Sequence, residues 1–169
     1  MTGRGLLSRM ISPGKKIDLE LPLRVIRHGV EETLPLKHLL KRRTIISVYM
    51  KNNTGSCDRQ NESLVAHATE FDRKGYDVIA LSRDTASSHL KYAKKMGVTY
   101  TLASDPGDTF AKAADAIVEK SMYGKTYSGP ARAAFVLDRN GTVLAVAEKV
   151  DTKDHAAQLQ TLLAGLKPA

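Results

Sequence analysis

Apolar residues come along this chain in short runs that alternate between the period of a strand and that of a helix. Ile45 to Met50 is a β-branched apolar stretch between Lys41-Arg42-Arg43 and the polar Asn52-Asn53-Thr54-Gly55-Ser56, the pattern of a buried strand. Beyond it Leu64, Val65, Ala68 and Phe71 fall on one helical face and the pattern stops at Gly75, which predicts an amphipathic helix with a glycine terminator. Val78 to Leu81 reads as a second buried strand, followed by Leu90, Ala93 and Met96 at three-residue spacing, with Ser87 and Ser88 as caps and Gly97 as the stop. Tyr100 to Ala103 reads as a short third strand, and Phe110, Ala113, Ala114 and Ile117 again space as a helix.

Toward the end the period shortens. Ala133 to Leu137 and Val143 to Ala147 flank Asp138-Arg139-Asn140-Gly141, where Asn-Gly suits a type I′ hairpin turn. Leu159, Leu162, Leu163 and Leu166 then space as an amphipathic helix beginning near Asp154. Ile17 to Leu23 and Arg24 to Thr33 are expected to add a hairpin or an edge strand before Leu34 to Leu40. The order β-α-β-α-β-α-β-β-α implies an α/β protein, with a mixed central sheet flanked by helices on both faces.

A length of 169 residues with 42% hydrophobic content fits one domain with a sizeable core. Residues 1–15 are expected to be a flexible basic terminus and residues 16–169 a single domain. No stretch approaches the roughly 20 apolar residues of a membrane span, and the opening MTGRGLLSRMISPGKK lacks the apolar core of a signal peptide. The expectation is a cytoplasmic protein with no membrane partner, in which the glycosylation signatures at Asn52, Asn61 and Asn140 are chance. The net charge of +8 is spread over the chain without a basic stripe interleaved with aromatics, which argues against nucleic acid as a partner.

The chain has a single cysteine, Cys57, so neither an intramolecular disulfide nor a Cys-rich zinc site supports the fold. By type alone such a cysteine is most often a small buried hydrophobe. Its position points elsewhere, because polar Asn53 to Ser56 lead into it and Asp58, Arg59 and Gln60 follow. It lies just after a buried strand, where open α/β sheets place their sites, and in the first turn of the long helix, whose free N–H groups favour a thiolate. A thiol near pKa 8.5 lowered to about 6 gains roughly 30-fold in thiolate at pH 7. That is too little for a fast enzyme, so donors aimed at the developing oxygen charge are required, each worth about 10² to 10³ in rate.

The segment Tyr49 to Cys57 resembles the peroxidatic loop of peroxiredoxins, and the chain from about Lys16 onward resembles their bacterioferritin-comigratory, or Q-type, subgroup. Three blocks carry the likeness: Thr54 with Cys57; Ser88-His89, Lys91-Tyr92-Ala93 and Lys95, ending in Leu102-Ala103-Ser104-Asp105; and Met122 through Gly129-Pro130-Ala131-Arg132 to Asp138. The resemblance implies a thioredoxin-like fold and a peroxidatic Cys57. It also implies a Thr54 hydroxyl that hydrogen-bonds peroxide and thiolate, and an Arg132 that holds the thiolate and the transition-state oxygens. Without it, Arg132 reads as a strand-end surface arginine and Thr54 as a loop or cap residue.

Two departures from the family pattern stand out. Met50 replaces the proline seven residues before the cysteine, and Thr54-Gly55-Ser56-Cys57 replaces Thr-Pro-Gly-Cys. Glu62 occupies the position where many members carry a resolving cysteine. The expected cycle is therefore of the one-cysteine kind. A hydroperoxide oxidises Cys57 to a sulfenic acid, and an external thiol (thioredoxin, glutaredoxin or glutathione) reduces it. No metal or organic cofactor is implied, the five histidines are read as surface or structural, and a monomer or a homodimer is equally compatible. The alternative from a different class is a non-enzymatic peroxide sensor or interaction protein.

Overall fold

A computed structural model describes residues 10–168. The strands are β1 (Pro22–Arg27), β2 (Val30–Pro35), β3 (Thr44–Val48), β4 (Asp77–Ser82), β5 (Thr101–Ser104), β6 (Ile117–Met122), β7 (Lys125–Pro130), β8 (Ala134–Leu137) and β9 (Val143–Ala147). Between and after them lie helices α1 (Leu36–Leu39), α2 (Gly55–Arg73), α3 (Ala86–Met96), α4 (Thr109–Ala113) and α5 (His155–Ala164).

Seven strands form one mixed sheet in the order β2-β1-β5-β4-β3-β8-β9. The parallel centre β3-β4-β5 is joined through α2 and α3 as two βαβ units, while β8 and β1 add antiparallel on either side. All five residues of β3 are buried, because the sheet carries a core on each face and a strand covered twice has no polar side to alternate. Ile46 and Val48 enter the layer with α1, α4 and the segment around Met10 and Ile17. Ile45 and Tyr49 enter the layer with Leu64 and Phe71 of α2, Tyr92 of α3, and Ala156, Leu159 and Leu163 of α5. Ser47 is also fully buried. The mixed sheet with helices on both faces expected from the periodicity is therefore observed.

Three local expectations are corrected. The β8–β9 turn is not type I′, since Gly141 but not Asn140 has a positive φ. Asp138 Oδ1 accepts from the N–H of Asn140 and of Thr142, and Gly141 N–H closes on Asp138 O. A carboxylate at the first turn position gathers these donors into an ordinary turn followed by a left-handed glycine. The cap of α3 is Thr85, whose hydroxyl accepts from Ser88 N–H, and Ser88 Oγ turns instead to Asn52. The helix through Phe110 ends at Ala113, where Asp115 takes φ +52° and Ala116 N–H bonds Ala111 O, so Ile117 opens a strand.

That strand and β7 form a separate two-stranded sheet. Its sequence carries no alternating apolar face, and it leaves Met122 and Tyr127 exposed and Tyr123 95% exposed, so periodicity did not reveal it. Residues 1–9 lie outside the described residues, but Met10 is buried, and Ile11 and Gly14 donate backbone bonds to Ala114 and Val143.

Gly141 has φ +79°, and a Cβ built there would lie 2.7 Å from the backbone oxygen of Ile17, whose N–H bonds Gly141 O. Gly141→Ala is expected to cost about 1–3 kcal/mol, read as a lower urea midpoint. Gly124→Ala has φ +76° but open space around its Cβ and should cost less.

Candidate active site

Cys57 sits in the first turn of α2, immediately beyond the carboxyl end of β3, and is 1% exposed. Polar bonds pin the loop that delivers it to the neighbouring elements. Asn52 N–H donates to Asp84 Oδ2 at 2.9 Å, Asn52 Nδ2 donates to Ser88 Oγ at 3.1 Å, and Tyr49 Oη donates to Asn52 Oδ1. Asn53 adopts φ +63°, a conformation asparagine tolerates, and its Oδ1 accepts from Lys95 Nζ at 2.7 Å. Buried His89 packs its ring edge-on to Tyr49, and burial holds its pKa below the ordinary value. His89 thus acts as a neutral structural group beside the loop. The glycosylation signatures at Asn52 and Asn61 fall on buried side chains.

Thr54 occupies the N-cap of α2, but its hydroxyl makes no cap bond and donates to Lys51 O at 2.8 Å. Arg132, on the short link between β7 and β8, reaches the same turn. Its Nη2 donates to Ser56 Oγ at 3.1 Å and its Nη1 to Gln60 Oε1 at 3.1 Å. The three residues singled out in the sequence are therefore gathered at one helix terminus. Burial pushes the Cys57 thiol up, but the Thr54 hydroxyl, the backbone N–H groups of Lys51 and Met50 and the charge of Arg132 outweigh it, so the pKa is lowered.

Two residues of this neighbourhood were not found in the sequence. Gln60, one helical turn after Cys57 and fully buried, is the tether of Arg132; a glutamine on the apolar face of an amphipathic helix was the available signal. Lys120, on the unanticipated strand β6, extends Nζ to 2.9 Å from Met50 Sδ. Burial, then the charges of Arg83 and Arg132, lower its pKa, with Asp108 and Cys57 opposing. Lys120 thus brings a second cation to Met50, in the loop that precedes Cys57. Clefts of about 410 and 750 Å³ lie away from Cys57, the first lined by Arg27, Arg42, Tyr76 and Asp77 at the amino-terminal end of β4. Cavity size does not mark the chemistry here.

A buried cysteine with a lowered pKa at the mouth of a parallel α/β centre, with antiparallel strands on both sides, fits the thioredoxin-like class. Residues 13–146 match the model of the AhpC/TSA family. Peroxiredoxin Bcp of Xanthomonas campestris is 35% identical over 123 residues, 73% of this chain and 75% of its own length. Peroxiredoxin Q structures from Xanthomonas campestris superpose with a TM-score of 0.81 at 30% identity, covering 92% of this chain and 99% of theirs. A structure of the same organism's bacterioferritin comigratory protein, concerned with its alkyl peroxide reduction activity, gives 0.81 at 29% identity, over 92% and 100%. The chain belongs to the AhpC/TSA family and is a Q-type peroxiredoxin. Among the described residues no helix is long and apolar enough to cross a membrane.

Fully buried His155 accounts for a pH effect on stability. Burial pushes its pKa from 6.5 down to about 4, against smaller upward pulls from Gln158 and Asp151 and a further downward push from Arg132. The unfolded chain, with the higher value, takes up the proton first. Folding stability should therefore fall as pH drops from 6.5 to about 4, by about 3 kcal/mol in all, and this histidine contributes no slope above that window. Urea midpoints across this range should fall less steeply for His155→Gln than for wild type. Equal slopes would show that His155 does not titrate there.

Proposed function

We propose that this chain is a one-cysteine hydroperoxide reductase in which Cys57 is the nucleophile, Thr54 and Arg132 are the catalytic donors, and an external thiol closes the cycle. The observation that carries the reading is the convergence of Arg132 and Thr54 on the helix turn that holds the lone, acidified Cys57. The relative studied for alkyl peroxide reduction supports organic hydroperoxides as substrates beside hydrogen peroxide.

In this reading the Cys57 thiolate attacks the terminal oxygen of ROOH. The S–O bond forms as the O–O bond breaks, and RO⁻ leaves, taking a proton to become ROH. Arg132 offers fixed charge and several N–H donors to the oxygens as negative charge moves outward. Thr54 has one hydroxyl proton, held on Lys51 O in the resting arrangement. Turning that proton toward the sulfur or the peroxide oxygen stabilises the ionised state at the expense of the resting bond. The resulting Cys57 sulfenic acid exchanges its oxygen, released as water, for a thiol R′SH, and a second thiol attacks the mixed disulfide to restore the cysteine. No second cysteine exists in these 169 residues, so both thiols come from other molecules, with thioredoxin, glutaredoxin and glutathione as the candidate donors. A cytoplasmic setting suits such reductants.

The Met50 departure also has a chemical consequence. A proline at this position would have no N–H, whereas the Met50 N–H is among the donors that lower the Cys57 pKa. Met50→Pro is therefore expected to raise the Cys57 titration midpoint, followed by thiolate absorbance. A midpoint that is unchanged or lower would remove this donor from the account.

Single-turnover peroxide consumption tests the main reading. Cys57→Ser should abolish it, and Arg132→Ala should slow it by about 10² to 10³. Thr54→Val should also slow it, by less. With each external thiol in excess, turnover should continue, and no intramolecular disulfide should form. A wild type that reacts no faster than a free thiol would sink the proposal, and slow selective sulfenylation without thiol turnover would favour the sensor alternative.

A further inference from the structure

Arg132 is the end of a longer chain of hydrogen bonds that runs through buried Gln60, Ser47 and His155 to half-buried Gln158. Gln60 Oε1 accepts from Arg132 Nη1 at 3.1 Å, and Gln60 Nε2 donates to Ser47 Oγ at 2.9 Å and to Val48 O at 3.2 Å. Ser47 Oγ lies 2.9 Å from His155 Nε2, and His155 Nδ1 lies 3.1 Å from Gln158 Oε1. Gln158 is anchored at its far side, where Oε1 accepts from Asp151 N–H at 2.9 Å and Nε2 donates to Lys149 O at 2.7 Å. Gln60, Ser47 and His155 are each 0% exposed.

The backbone groups at the two ends leave one direction for every proton. Asp151 N–H can only donate, so Gln158 presents its oxygen to His155, and His155 must carry its proton on Nδ1 to donate there. Its Nε2 is then bare and accepts the Ser47 hydroxyl proton. Ser47 Oγ keeps a lone pair for Gln60 Nε2, which Val48 O also holds. Gln60 is thereby prevented from flipping, and its oxygen faces the guanidinium. A flipped amide would set N–H against N–H at Arg132 and oxygen against the Val48 carbonyl.

We infer that His155 and Ser47 are positioning residues for Arg132: their polarised hydrogen bonds lock the Gln60 amide so that its oxygen holds the guanidinium at the turn bearing Cys57. The inference rests on the reading of Arg132 as a transition-state donor. A long arginine side chain has many rotamers to lose, and a misplacement of about 1 Å can cost up to about 10²-fold in rate. Replacing His155 with an apolar residue strands the Ser47 proton. The hydroxyl then competes for the Gln60 oxygen and loosens the tether. A glutamine at position 155 can still present an acceptor.

The test measures single-turnover peroxide reduction and iodoacetamide alkylation of Cys57 on the same samples. It compares wild type, His155→Leu, His155→Gln and Ser47→Ala, each also made in an Arg132→Ala background. Alkylation reports the sulfur without an oxygen leaving group, so a disturbed helix turn would slow both reactions. The expected result is a loss of about 10-fold in the peroxide rate for His155→Leu. Ser47→Ala should lose rate in the same sense, His155→Gln should recover most of it, and alkylation per thiolate should be preserved throughout. With Arg132 already removed, none of the three changes should slow peroxide reduction further. Equal losses in both backgrounds, equal losses in both reactions, or no loss at all would overturn the inference. Ser47→Ala leaves α5 intact and so decides the matter if His155→Leu fails to fold. A wild type no faster than a free thiol would instead sink the peroxidase reading. The Cys57 titration midpoint then decides, being raised by Ser47→Ala only where Arg132 is present if the inference holds.

Discussion

A single guanidinium joins two stretches of chain more than seventy residues apart. Arg132 donates to Ser56 and Gln60 across separations of 76 and 72 residues, and that meeting brings its fixed charge to the turn that holds Cys57. A thiol that is almost completely buried would ordinarily be pushed toward its neutral form. Here the cation, the Thr54 hydroxyl and the N–H groups of Met50 and Lys51 reverse the direction. The tether in turn exists because β8 pairs antiparallel with β3, which brings Arg132, two residues before β8, to the carboxyl end of β3 where α2 begins.

The second organising feature is the way polar groups are carried through an otherwise apolar layer. The face of the sheet beneath α2, α3 and α5 packs Ile45 and Tyr49 against Phe71 of α2, yet Ser47, Gln60, Asn61, His89 and His155 are buried in the same molecule. Among the described residues no buried side-chain nitrogen or oxygen lacks a partner. Complete pairing is the condition under which such groups are tolerated, since an unpaired one costs about 1–3 kcal/mol. Asn61 pairs with Tyr92 and Tyr100, and two further networks lie around the site. One, through Asn52, His89 and Asp84, holds the loop before Cys57, and the other, through Gln60, Ser47 and His155, backs Arg132.

Much of the architecture was legible in periodicity because a strand covered on both faces must be continuously apolar and a helix covered on one must be striped. Strands near Ile45, Val78 and Tyr100, the α2 stripe with its stop at Gly75 and the start of α5 at Asp154 follow from that rule. The β6–β7 hairpin was not legible: its strands gain pairing but little burial, so Glu119, Lys120, Thr126 and Ser128 carry no pattern. The β8–β9 turn was misread because Asn-Gly fits two turn types, and the carboxylate of Asp138, not the dipeptide, selects between them. Of the site, Cys57 could be placed at a helix start from its own surroundings. Thr54 and Arg132 came only through family likeness.

The amino-acid sequence by itself determined the kinds and order of the elements outside the β6–β7 hairpin, the single sulfur and the absence of a second cysteine to resolve it within these 169 residues. Those properties are local or countable, set by the spacing of apolar side chains and by composition. Only the tertiary structure decided that Lys120 rests against Met50, that Gln60 faces Arg132 and that His155 sits behind Ser47. Each of these is a contact between residues 70 or more positions apart. Hydrophobic periodicity says which face of an element is buried. It carries no record of which buried polar group meets another, because that depends on strand order and on the desolvation that forces each such group to find a partner.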